Sequence, residues 1–203
     1  MFISKLLRNF FVLLFFFTGS LSARDILLEF KGAYFLATEH LFREIYGNGG
    51  ALYGPEVTFQ LCDDDNWYGF ASIDFFQKDG HSLGLCDATK ARIMPLALGL
   101  KYFVPFCYGD FYIGLGFQPT HLKTINCSPF VAECTSQWGF GGIAKIGTYF
   151  DLPCNFLIDI FIDYSFVKVD CNKKCQPPAG PVTSTKADIS GVIFGAGLGY
   201  RFN

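Results

Sequence analysis

Nine ionisable residues stand at alternating positions inside apolar, glycine-rich stretches: Glu29, Lys31, Glu56, Asp74, Lys101, Lys145, Asp159, Asp163 and Arg201. Five acids and four bases nearly balance. Residues two apart on a strand share a face, so Glu29 projects with Lys31, and Asp159 with Asp163. Ions gathered in a confined space must pair, because an unpaired buried charge is costly. Three chemistries fit such a set: a salt-bridge network that plugs a narrow interior, a polar path for small solutes, or catalysis by paired carboxylates. The need to pair favours the network.

The three histidines, His40, His81 and His121, lie in or near polar loops and read as solvated. Gly80-His81-Ser82 is the nearest approach to a His–Ser arrangement, the kind a lipid-modifying enzyme would carry at a barrel rim. His121 is followed by Leu122 and Lys123, so it has no His-x-Ser spacing. The Gly-x-Gly runs lie on strands with no following helix, which marks them as packing rather than a phosphate cradle. No catalytic, cofactor-binding or metal site is expected.

The chain has 203 residues and a formal charge of −2, which gives no electrostatic case for nucleic acid. Hydrophobic residues make up 51% and charged residues 17%, which excludes a disordered chain. The 22 glycines disfavour helix. Residues 1–22 read as a signal peptide. Lys5 and Arg8 precede the apolar run Phe10–Phe17, and Ser20 and Ser22 occupy the −3 and −1 positions of a cut before Ala23. That run is too short to span a bilayer core, which takes about 20 residues. Residues 23–203 contain no apolar run long enough for a spanning helix, and an exported apolar chain then has a closed barrel as its main destination.

Period-two alternation marks eight strands: Asp25–Leu36, Ala51–Leu61, Trp67–Phe76, Ala91–Val104, Phe111–Gln118, Gln137–Phe150, Phe156–Val169 and Ala187–Asn203. In the last, Val192, Phe194, Ala196, Leu198, Tyr200 and Phe202 form one face. Gly191, Ile193, Gly195, Gly197, Gly199 and Arg201 form the other. Pro55 predicts a bulge or strand end in the second strand. The loop 37–50 predicts one or two helical turns. Connections of 14, 14, 18 and 17 residues alternate with connections of 5, 6 and 5. Long external loops and short periplasmic turns have this signature. Trp67, Tyr102, Phe111, Phe150, Phe156, Tyr200 and Phe202 gather near one rim. Tyr34, Tyr53, Phe75, Trp138 and Phe166 gather near the other, as two membrane-interface belts would. A soluble barrel with an aromatic core would instead leave Glu29, Asp74 and Asp163 outside.

The cysteines avoid the strands. Cys62, Cys107 and Cys154 fall one in each short turn; Cys86, Cys127, Cys134, Cys171 and Cys175 fall in the long loops. An exported chain meets an oxidising compartment, and both sets are odd, so each leaves at least one without an internal partner. Neighbouring turns should lie about 10 Å apart, beyond the Cα limit of about 7 Å for a disulfide. The turn cysteines therefore suit intermolecular crosslinks or remain free. Cys171 with Cys175, or Cys127 with Cys134, could close local loops.

The terminal Gly199-Tyr-Arg-Phe resembles the closing strand of bacterial outer-membrane barrels, and the resemblance makes Tyr200 and Phe202 an assembly signal; one residue, Asn203, follows. Met94-Pro-Leu-Ala-Leu-Gly-Leu-Lys-Tyr-Phe and Trp138-Gly-Phe-Gly-Gly-Ile-Ala-Lys-Ile-Gly are similar to OmpW-type strands. The chain as a whole resembles the small eight-stranded OmpA-, OmpX- and OmpW-like proteins. That resemblance implies an all-β, eight-stranded antiparallel up-and-down transmembrane β-barrel in the bacterial outer membrane. Outer-membrane lipid and the barrel-assembly machinery would be its partners. The expected function is structural or surface-interacting rather than enzymatic, open to disulfide crosslinking with other envelope proteins. The alternatives are an OmpW-like conduit for small apolar solutes and a lipid-modifying rim enzyme.

Overall fold

A computed structural model describes residues 25–61, 66–81, 88–126, 134–170 and 186–202. The predicted signal peptide lies outside the described residues. The strands are β1 (Ile26–Ala37), β2 (Gly49–Gln60), β3 (Trp67–Ile73), β4 (Phe75–His81), β5 (Ala88–Phe106), β6 (Gly109–Phe117), β7 (Thr120–Asn126), β8 (Cys134–Asp151), β9 (Phe156–Asp170), β10 (Lys186–Asp188) and β11 (Gly191–Phe202). One helix, α1 (His40–Tyr46), occupies the first long connection, where helical turns were expected.

Eleven segments make eight strands because three interruptions leave the register intact. β3 and β4 are one strand: Ile73 pairs with Leu96 and Phe76 with Ile93 without a slip. The break falls at Asp74, opposite Pro95, whose ring nitrogen has no hydrogen to donate; Asp74 N–H still donates to the Pro95 carbonyl at 3.0 Å. Pro55 borders the same gap on the β2 side. It makes neither a bulge nor a strand end, since β1 and β2 stay in register through Phe30↔Pro55. β6 and β7 continue one another across Gln118-Pro119, where Pro119 is again the missing donor. β10 and β11 are split at Ser190, whose Oγ accepts the Val167 N–H at 3.2 Å.

Every strand has two partners. β1 closes on β11 through twelve registered pairs, from Ile26↔Phe202 to Ala37↔Gly191. Cross-strand partners can be followed once round: Ile26, Phe59, Gly69, Leu100, Leu115, Ala144, Tyr164, Val192. The circuit returns to Leu36, ten residues along from its start. A stagger of ten over eight strands, with standard rise and spacing, tilts the strands about 40°. The chain is an eight-stranded antiparallel up-and-down barrel.

Four strands outrun their predicted ends, two at each of two long connections. The segment 77–90 reads as a polar loop, yet β4 runs to His81 and β5 starts at Ala88; Pro119–Ser136 likewise reads as loop but contains β7 and the start of β8. The wall therefore extends further on the β4–β5–β7–β8 side. The outer surface is apolar: thirty large hydrophobic side chains, Leu28, Phe30, Leu98, Leu115 and Ile160 among them, are exposed in the described residues. A soluble monomer rarely exposes contiguous apolar area on that scale.

Candidate functional site

Alternation sends the other set inward. In β9, Phe156, Ile158, Ile160, Ile162, Tyr164 and Phe166 are exposed, while Leu157, Asp159, Phe161, Asp163, Ser165 and Val167 are buried. The interior fills in layers. At the short-turn end Leu27, Phe103, Tyr112, Tyr149 and Leu157 pack together. At the long-loop end Phe35, Leu52, Phe76, Ile93, Val167 and Ile193 form an apolar layer. Phe42 of α1 covers it, with ring centroids 6.2 Å from Phe35 and 6.4 Å from Phe76.

The charges lie between. Eight of the nine residues singled out in the sequence are buried inside the barrel: Glu29, Lys31, Glu56, Asp74, Lys101, Lys145, Asp159 and Asp163. Glu56 is the hub. Its carboxylate meets Lys31 at 3.1 Å, Lys145 at 3.1 Å, and Lys101 in a short contact. Lys145 also reaches Asp163 at 2.8 Å. Lys31 reaches Asp159 at 3.2 Å and Glu29 at 3.4 Å. Two phenols complete the layer: the Tyr149 hydroxyl donates to Glu29 at 2.7 Å and accepts from Lys101 at 2.7 Å, and Tyr112 donates to Asp159 at 3.0 Å. Asp74 is buried at the proline-bordered break, and no ion pair joins it among the described residues.

Glycines make the room. A Cβ on Gly197 would stand 3.0 Å from Glu29 Oε2 and 3.3 Å from Lys31 Cγ, and one on Gly114 would stand 3.0 Å from Lys101 Cγ. Gly197 on the last strand and Gly114 on β6 thus leave the space that the long ionic side chains occupy.

Arg201 stands apart. It is half-buried at the short-turn mouth and pairs with Asp110 at 2.7 Å and Asp151 at 3.6 Å. The sequence reading placed it facing the interior acids; the structure gives it two acids at the turn edges, which that reading did not single out. Phe202 is exposed, and Tyr200 packs edge-on against it at 4.8 Å and against Phe156 at 5.3 Å.

A small cavity of about 20 Å³ lies within the upper apolar layer, beside Gln118, Thr120 and Ser165. It has room for about one water. Ser165 donates to Gln118 across it at 2.7 Å.

His121 is not in a loop. It lies in β7, its Nε2 is 2.7 Å from Ser136 Oγ, and its ring packs 5.0 Å from Trp138. No carboxylate holds its other ring nitrogen among the described residues, so the pair lacks the orienting acid of a hydrolase triad. His81 ends β4, and Ser82 lies outside the described residues. Cys107 and Cys154 are exposed and unpaired in their turns. Cys134 begins β8 rather than lying in a loop. Cys62, Cys86, Cys127, Cys171 and Cys175 lie outside the described residues.

No family model matches the chain, and no curated protein matches it in sequence. Solved structures do match. A major outer membrane protein from Thermus thermophilus aligns at TM-score 0.58 and 15% identity, covering 89% of this chain and 100% of that one. Ail, the attachment invasion locus protein of Yersinia pestis, solved with the heparin analogue sucrose octasulfate, aligns at 0.55 and 16%, covering 89% and 100%. The fold is that of the small bacterial outer-membrane barrels. Escherichia coli outer membrane protein W is a third neighbour, at 0.51 and 13%, covering 90% and 100%. These neighbours are bacterial outer-membrane proteins.

Proposed function

We propose that the chain is an integral outer-membrane barrel with a structural and surface-interacting role, its lumen plugged rather than conducting. The observation that carries this is the buried ionic layer: three lysines and four carboxylates knit across the barrel, between two apolar layers. A solute would have to break several ion pairs in a low-dielectric interior, where each is strong. The layered filling supports the structural reading over an OmpW-like conduit. The His121–Ser136 pair without an acid gives the rim-enzyme reading little support. Outer-membrane lipid surrounds the apolar belt, and the aromatic C-terminus serves the barrel-assembly machinery.

Planar bilayer recordings test the plug. The full-length protein should insert without stepwise conductance at neutral pH; steady single-channel steps from the wild-type protein would replace this reading with the conduit.

The free, exposed Cys107 and Cys154 in turns on one rim support disulfide links to other envelope proteins. On non-reducing gels of intact envelopes the wild-type chain should run as reducible higher-mass species, and the C107S/C154S variant should lose most of them. Monomer in both lanes would end the crosslinking proposal.

A further inference from the structure

The outer face of the extended wall carries a basic row that the plugged lumen does not use. Gln77 of β4 pairs with Arg92 of β5, Arg92 with Lys123 of β7, and Lys123 with Ser136 of β8. Directly opposed residues on antiparallel strands project to the same side, with Cβ atoms about 5 Å apart. Arg92 and Lys123 thus hold two positive charges side by side, an arrangement that is destabilising by itself. The acid of the next row, Asp79, is engaged by Lys90 at 3.2 Å. No carboxylate bridges Arg92 to Lys123 among the described residues.

The row beneath it, nearer the barrel's middle, is apolar and aromatic. Met94 pairs with His121 and His121 with Trp138; the Tyr53 and Phe75 rings lie tilted with centroids 6.2 Å apart. Arg92, Lys123, His121, Met94, Tyr53 and Phe75 together line a groove of about 460 Å³ on the outside of the wall. Its upper half offers two cations, and its lower half offers the aromatic surface that marks a membrane boundary. A guanidinium and an ammonium at that level match phosphate oxygens, which the guanidinium can take in a bidentate fork.

We propose that this groove binds the phosphorylated headgroup of an outer-leaflet glycolipid, with the phosphate between Arg92 and Lys123 and the first acyl carbons along Met94, Tyr53 and Phe75. The inference rests on the proposed membrane location. A bound phosphate converts the like-charge pair from a cost into a clamp, and it fixes the height of the barrel in its leaflet at the β5–β7 side.

The test is lipid retention by the folded full-length protein in a non-ionic detergent, read by native mass spectrometry. The probes are bisphosphorylated lipid A, the same lipid stripped of phosphate, and inorganic phosphate. Wild-type protein should retain bisphosphorylated lipid A. The R92Q/K123Q variant should bind it at least about tenfold more weakly, since charge-assisted bonds of this kind each carry about a decade or more. R92K/K123R should restore binding. Equal retention of the phosphate-free lipid, or unchanged binding by the glutamine variant, overturns the proposal. Displacement by equimolar inorganic phosphate also overturns it, by assigning the site to a free anion. Heat-modifiable gel mobility separates the two levels of inference: a chain that folds in lipid but shows no phosphate selectivity refutes the groove alone, and one that never folds in lipid refutes the membrane reading with it.

Discussion

Glu56 is the residue on which the interior turns, because three ammonium groups share its two oxygens. Glu56→Gln keeps the volume and removes the charge, leaving Lys31, Lys101 and Lys145 short of an anion in a buried site. The expected loss is about 3–5 kcal/mol, read as a lower urea midpoint for unfolding from lipid vesicles. An unchanged midpoint would remove Glu56 from the centre of the network. Arg201→Gln should cost far less, about 1 kcal/mol, because its pair lies at the mouth and keeps partial contact with water. The inward charges could be read from the sequence because a period of two separates faces without any knowledge of partners. The partners could not. Tyr112 and Tyr149 contribute rings to apolar packing and hydroxyls to the ionic layer at once, and a sequence shows a tyrosine mainly as an aromatic. Asp110 and Asp151 sit where strands meet turns, and an acid there reads as solvated.

At the scale of elements, tight contacts divide the glycines into two kinds. A Cβ on Gly141 would meet the backbone of Phe166 and Val167 on β9, whereas Gly32 has open space around it on the outer face. Gly141→Val should push β8 off β9 at a cost of about 3 kcal/mol or more, while Gly32→Ala should be neutral or stabilise by about 0.5–1 kcal/mol. The heat-resistant fraction on gels compares them directly; equal behaviour would refute the division. All eight strands were legible, because each carries an apolar outward set. The extensions were not. Beyond the greasy belt the wall presents Gln77, Asp79, Arg92 and Lys123, and a strand wetted on its outer face loses the contrast that periodicity needs. Pro55 was misjudged for a related reason: a missing donor predicts a defect, but the defect fell on the side facing Asp74, where Pro95 shares it.

For the whole molecule, the three layers are redundant as seals. Phe42→Ala removes the ring that covers the upper apolar layer and should cost about 3 kcal/mol. Bilayer conductance should stay absent, because the ionic layer beneath is untouched. Current through this variant would show that α1, rather than the ionic layer, closes the barrel. At 13–16% identity the neighbours share the barrel fold.

The pairing of β1 with β11 joins the two ends of the described chain. A contact between residues so far apart in sequence cannot nucleate locally, and topologies dominated by such contacts fold slowly. Until Phe202 arrives, β1 has one neighbour instead of two, and a ribbon of seven strands has two raw edges with unpaired donors and acceptors. The interval before closure is therefore the hazardous one, a matter of time rather than of final stability. A chain cut short by a dozen residues would remain a ribbon open to pairing with any other strand in transit.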